Sequence, residues 1–225
     1  MKIVIDPGHG AGQNMYPDGS HSEGTQMFYL AYYLYQELKN INSGRYSLKC
    51  TRNKVDQNPS VEERGKAAAG ADLFISLHTN AAVSTTVQRV VVIPNIDNHE
   101  ESFRNLCQDI GDTVKAALSI QENTQIYDRS YQDVNTGKIV NYYAVLRNAA
   151  AVGCKNALIV EHSFHTTPLM ASRLTQDSFL KDIAHREAVL IHSFLTPRET
   201  YWGHDGDETV TFRDFWTILH DPGAE

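Results

Sequence analysis

Short apolar runs alternate along the chain with longer stretches at helical spacing. KIVID (2–6), DLFISLH (72–78), QRVVVIP (88–94) and NALIVEH (156–162) read as buried strands, and RYSLKCTR (45–52) alternates as a partly exposed strand does. A strand reads as a continuous apolar run when helices cover both faces of its sheet. The pattern therefore predicts an α/β fold: a mostly parallel, twisted sheet of about five to six strands with helices on both faces.

The helices carry start signals. Met27, Leu30, Ala31, Leu34 and Leu38 form one stripe over 23–40, and Ser20 with Glu23 has the form of a capping box ahead of it. Ser60 and Glu63 have that form before a second helix. Asn98 is placed to cap a third, whose stripe is Phe103, Leu106, Cys107, Ile110 and Val114. A fourth helix is expected over 140–152, a short one opening at Thr167-Pro168, and a last one over 178–195. The polar stretch 120–139 has little periodicity and reads as a long surface loop of the binding-loop kind, with Tyr127, Arg129 and Tyr131 available to wall a groove. The division expected is a catalytic-sized domain over 1–196 and an acidic, aromatic tail over 197–225.

Composition narrows the classes. The chain has 225 residues, 41% of them apolar and 21% charged, as in a folded globular protein. The net charge of −7 argues against a nucleic-acid partner. No apolar run is long enough to span a membrane. The opening MKIVIDPGHG meets Pro and Gly too early for a signal peptide. Cys50, Cys107 and Cys154 are few, odd in number and far apart, so no disulfide framework is expected.

Ligands of open parallel sheets bind at the carboxyl ends of the strands. Here the first strand runs into Asp6-Pro7-Gly8-His9-Gly10, the third ends at His78-Thr79-Asn80, and the fifth at Glu161-His162. Histidines and a carboxylate converging there are the residue types of a zinc site with a carboxylate base. Glu23, just after the glycine-rich loop, could be a third ligand or the capping-box partner of Ser20. Glu161 ends a buried strand, where a carboxylate needs a partner or a metal. His162 and His165 either line the same pocket or hydrogen-bond to backbone.

Five ordered blocks carry a resemblance: MKIVIDPGHG; Ser22-Glu23-Gly24 leading into a helix; Thr51-Arg52 with Asp56; VEERGKAAAGADLFISLHTNA; and YYAVLRNAAAVGCKNALIVEHSFHTT. Together they resemble the zinc-dependent N-acetylmuramoyl-L-alanine amidases, cell-wall hydrolases with a single-zinc α/β catalytic domain. The likeness spans about residues 2–195. It implies zinc ligands at His9, Glu23 and His78, a catalytic glutamate at Glu161 and a substrate contact or supporting role for Asn80. It leaves Arg64 as either an ion-pair residue or a functional one. The chain departs from the family pattern at Thr85-Thr86-Val87-Gln88-Arg89 and at Thr167, where the family often has Asn.

The activity implied is hydrolysis of the amide between the lactyl group of N-acetylmuramic acid and L-alanine, with Zn2+ as cofactor and peptidoglycan as partner. Its setting would be the cell wall, in the extracellular or periplasmic space, and both a bacterial autolysin and a phage endolysin fit. Two other readings use the same residues: an inactive wall-binding module on this fold, and a zinc peptidase or deacylase acting on another amide. In the tail, Gly203–Asp214 resembles a calcium loop, with Asp205, Asp207 and Asp214 at ligand positions. Gly203 stands where the first ligand should be and Glu208 where glycine is needed, which weighs against calcium.

Overall fold

The computed structural model describes residues 1–197. The calcium-loop-like segment and the aromatic run of the tail lie outside the described residues. The elements in chain order are β1 (Lys2–Pro7), α1 (Glu23–Ile41), β2 (Ser47–Cys50), α2 (Val61–Lys66), β3 (Leu73–Asn80), β4 (Val91–Pro94), α3 (Glu101–Ala117), β5 (Gln125–Ile126), β6 (Ser130–Gln132), β7 (Ile139–Asn141), α4 (Ala144–Ala151), β8 (Ala157–Phe164), α5 (Pro168–Leu174) and α6 (Asp177–Leu195).

The main sheet has six strands in the order β2-β1-β3-β8-β4-β5. β1, β2, β3 and β8 are mutually parallel, whereas β4 runs antiparallel to β8. The reversal follows from the connection. No helix separates β3 from β4, so the chain re-enters the sheet at the end where β3 left it. β5 then pairs parallel to β4 after the α3 crossover.

Alternation along the strands builds two cores. Ile3, Ile5, Leu73, Ile75, Leu77, Leu158 and Val160 face the larger one, which also takes the stripes of α1, α3 and α6. Val4, Phe74, Ala157 and Ile159 face the smaller one, with Val145, Leu146 and Ala149 of α4. Side chains of period two, buried on both faces, explain the unbroken apolar runs of these strands.

Several expected boundaries move. Ser22, not Ser20, caps α1, accepting from the Thr25 amide at 3.3 Å, and Glu23 becomes its first residue. The Ser60–Glu63 capping box forms as expected. Asn98 accepts from the Glu100 amide, but Glu100 holds the cap position of α3. The stretch 120–139 is not a plain loop: it supplies β5 and the β6–β7 hairpin. The helix expected from 140 starts only at Ala144. Residues 139–141 are drawn into β7, and the Asn141 side chain bonds to Asn95 and to the Ile96 amide.

Candidate active site

The carboxyl ends of β1, β3 and β8 open onto a cleft of about 980 Å³. Its floor holds His9, Glu23, His78 and Glu161, and its sides include Asn80, His165 and the start of α4.

His78 and Glu161 are register partners on adjacent parallel strands. Their side chains therefore leave the same face, the one covered by α2 and α4. Just beyond this pair the register slips, between His78 and Asn80, and Ser163 adopts a left-handed φ of 70°. This irregularity ends the regular pairing at the cleft and re-aims the residues that follow Glu161.

Glu23 reaches the same place from the first turn of α1. Its Oε1 lies 3.0 Å from His78 Nδ1 and 3.4 Å from His9 Nε2, and it accepts from the Thr79 amide at 2.9 Å. Asn14 donates to Oε2 at 2.7 Å. One ligand-type atom from each of His9, Glu23 and His78 lies within 4.8 Å of the others. The His9 and His78 rings meet edge to face, with centroids 4.9 Å apart.

The close approach of these groups depends on small residues. A Cβ on Gly8 would fall 2.4 Å from the His78 ring, and one on Gly24 would fall 1.8 Å from the Gly10 carbonyl oxygen. Only glycine lets the loop and the helix start pass so near.

His9 sits in the left-handed region at φ 55°, a strained conformation for a histidine. Two buried arginines hold it there. Arg64 donates to the carbonyls of Pro7 and His9, both at 2.6 Å, and pairs with Asp6 at 3.0 Å. Asp6 is also held by Thr51 and Ser76. Arg52 donates to the carbonyls of Gly8 at 3.2 Å and Gly24 at 2.7 Å, tying the loop to α1. The alternatives left open for Arg64 thus resolve into an ion pair and a backbone clamp together.

Charge in the floor is uneven. Burial pushes the Glu23 carboxyl up, but bonds to His78 and His9 outweigh it and hold the group well below the ordinary carboxylate range. Burial also pulls His78 down, and Glu23 reverses this and raises it. Glu161 is raised, chiefly by burial, and its Oε2 has no hydrogen-bond partner. A buried, unpartnered carboxylate oxygen facing a cleft is costly unless a cation or a proton donor comes to it. The donor set fits a divalent ion of the zinc type: two imidazole nitrogens and a carboxylate oxygen from separate elements, with the cleft open beside them.

The other expected residues divide. Asn80 lines the cleft and uses its Oδ1 on the Ala81 amide. His165 lines the cleft too, stacked on Tyr16 and 2.9 Å from the Thr79 hydroxyl. His162 turns away, to the His78 carbonyl and to Glu187. Tyr127, Arg129 and Tyr131 do not line the cleft themselves. Tyr142, Tyr143 and Arg147 do, and Arg129 packs on both tyrosines from behind. Sequence reasoning missed Asn14, Thr79 and Arg147, because each is placed by a turn or register that spacing does not reveal.

The sequence profile of the N-acetylmuramoyl-L-alanine amidase family matches residues 3–192. Among curated proteins, none matches significantly. Solved structures share the fold at low identity. An N-acetylmuramoyl-L-alanine amidase from Clostridium difficile 630 superposes with a TM-score of 0.70 at 18% identity, over 88% of this chain and 98% of that one. The catalytic domain of CwlV from Bacillus (Paenibacillus) polymyxa var. colistinus gives 0.69 and 18%, over 86% and 97%. AmiC2 of Nostoc punctiforme gives 0.66 and 19%, over 87% and 97%. With the profile spanning nearly all of the described fold, the chain belongs to the N-acetylmuramoyl-L-alanine amidase family, the peptidoglycan hydrolases that cut between N-acetylmuramic acid and L-alanine.

Proposed function

We propose that His9, Glu23 and His78 hold a zinc ion and that Glu161 is the proton-transferring group of the amidase reaction. The observation that carries this is the three-donor cluster on the cleft floor beside a buried carboxylate with an unpartnered oxygen. When bound, zinc supplies a Lewis acid for the scissile carbonyl and lowers the pKa of the attacking water.

The chain's own residues do the rest. Thr79 and Asn14 orient the Glu23 carboxylate through its two oxygens, which fixes where its charge points. The buried arginines hold the His9 loop against strain. Glu161 Oε2 takes a proton from the attacking water and returns it to the leaving nitrogen of L-alanine. Asn80 keeps its side-chain amide N–H groups for a substrate carbonyl. Peptidoglycan as substrate places the work at the cell wall, in the extracellular or periplasmic space.

The test is product analysis on purified cell wall, with and without a zinc chelator. Released peptides with a free N-terminal L-alanine, and their loss on chelation, are the expected result. A cut inside the peptide would support a peptidase instead, and binding without release would support an inactive module.

A further inference from the structure

We propose that Arg147 is the specificity residue of this cleft, and that it binds a free carboxylate of the stem peptide on the L-alanine side of the scissile amide. The proposal rests on the amidase reading and deepens it by naming a chemical feature of the preferred substrate.

Arg147 lines the same cleft as His78 and Glu161 and projects from α4, which covers the face those two side chains leave. Its guanidinium is positioned before any ligand arrives. Nη1 donates to the Asn141 carbonyl at 2.8 Å and to the Tyr142 carbonyl at 2.6 Å. The Tyr131 ring lies on the guanidinium at 5.3 Å. Nε and Nη2 make no hydrogen bond and the group makes no ion pair among the described residues. The nearby acid Asp133 feels the charge of Arg147 but makes no ion pair with it; its Oδ1 accepts from the amides of Asn135 and Thr136 and from the Thr136 hydroxyl.

A guanidinium held by one nitrogen and free at the other two presents the planar fork that matches a carboxylate in two-point contact. A single free arginine fork is suited to reading one anionic group rather than to steering a polymer. The stem of peptidoglycan carries such a group next to its first residue, where an isoglutamate has a free α-carboxylate and an isoglutamine has none.

The experiment compares N-acetylmuramoyl-L-alanyl-γ-D-glutamyl-L-lysinamide, whose only free peptide carboxylate is the glutamyl α-carboxylate, with the same compound carrying an α-carboxamide there, using the full zinc-loaded chain. Cleavage is followed by release of the peptide, and binding by calorimetry in the Glu161→Gln variant. The acid should bind about tenfold more tightly than the amide, with the difference in KM rather than kcat. Arg147→Gln should erase that preference by weakening the acid alone, and Arg147→Lys should restore part of it. Equal binding of acid and amide by the unmodified chain overturns the proposal without any variant. So does an Arg147→Gln effect that is the same on both ligands, which is what a purely structural tie to the β7–α4 turn would produce. Cleavage of neither compound, with cell wall also untouched, would instead sink the amidase reading, while the binding comparison still decides the role of Arg147.

Discussion

The Arg64 guanidinium holds the carbonyl of His9 at 2.6 Å while pairing with Asp6 at 3.0 Å. Through that bond a residue on α2 keeps a strained loop in the conformation that turns the His9 imidazole toward Glu23. Arg64→Gln should cost about 3–5 kcal/mol, because it leaves the Asp6 carboxylate buried without its counter-charge. It should also weaken zinc binding. Urea unfolding and zinc titration of the same sample check both, and unchanged zinc affinity would deny the link to His9.

His9→Ala and His78→Ala should each lose the metal while keeping the fold. Zinc content by atomic emission would fall well below that of the parent protein. Circular dichroism should stay close to that of the parent after chelation. Activity lost to a chelator should return on adding zinc. Metal binding to the native state alone stabilises it by mass action, so the chelated parent should melt at a lower temperature than the loaded one.

Glu161→Gln keeps the shape of the side chain and removes its ability to take a proton. Turnover on cell wall should fall by roughly 10²–10⁴-fold with zinc content unchanged. Near-normal turnover would remove Glu161 from the proton path.

Gly24→Ala places a methyl group 1.8 Å from the Gly10 carbonyl oxygen, a backbone atom that cannot swing aside. The helix start and the His9 loop must separate to admit it. Overpacking of this kind costs about 1–3 kcal/mol or more, and here it should also reduce zinc affinity, since Glu23 and His9 sit on the two parts forced apart. Thermal melts and zinc titration would show whether the losses go together.

His162 and Glu187 are fully buried with 3.0 Å between Nε2 and Oε1. The other ring nitrogen, Nδ1, faces the His78 carbonyl, which can only accept. A proton on Nδ1 is therefore required, and a second must lie between Nε2 and Glu187. Glu187→Gln can donate that hydrogen bond from its amide to a neutral ring, whereas Glu187→Leu cannot. The leucine variant should lose about 1–3 kcal/mol more than the glutamine variant in urea unfolding. Equal losses would mean that the bond to His162 contributes nothing.

Much of the scaffold is written in local pattern. KIVID, DLFISLH and NALIVEH are mostly apolar along their middles because helices cover both faces of the sheet, and the structure places all three inside it, as β1, β3 and β8. The Ser60–Glu63 box needs only four consecutive residues, so it too was legible. The β6–β7 hairpin was not. Its strands have three residues each and a largely exposed face, which leaves no period to detect. Ser22 displaced Ser20 as the cap because the chain enters α1 from a turn in which Met15 bridges to Ser22, a contact that the four-residue capping pattern does not show.

What spacing and composition established about this protein is the layered fold, the polar strand ends and the set of residues that resemble an amidase site, because these depend on periodicity and on short ordered motifs. Tertiary structure alone decided the rest. The direction of β4 depends on which end of the sheet the chain re-enters. The meeting of His9, Glu23 and His78 depends on two glycines that let the loop approach and two buried arginines that hold it. The place of Arg147 on the cleft wall depends on α4 beginning only after β7 has paired. The first two rest on contacts between residues far apart in the chain and the third on a hairpin too short to show a period, so none leaves a periodic trace along the sequence.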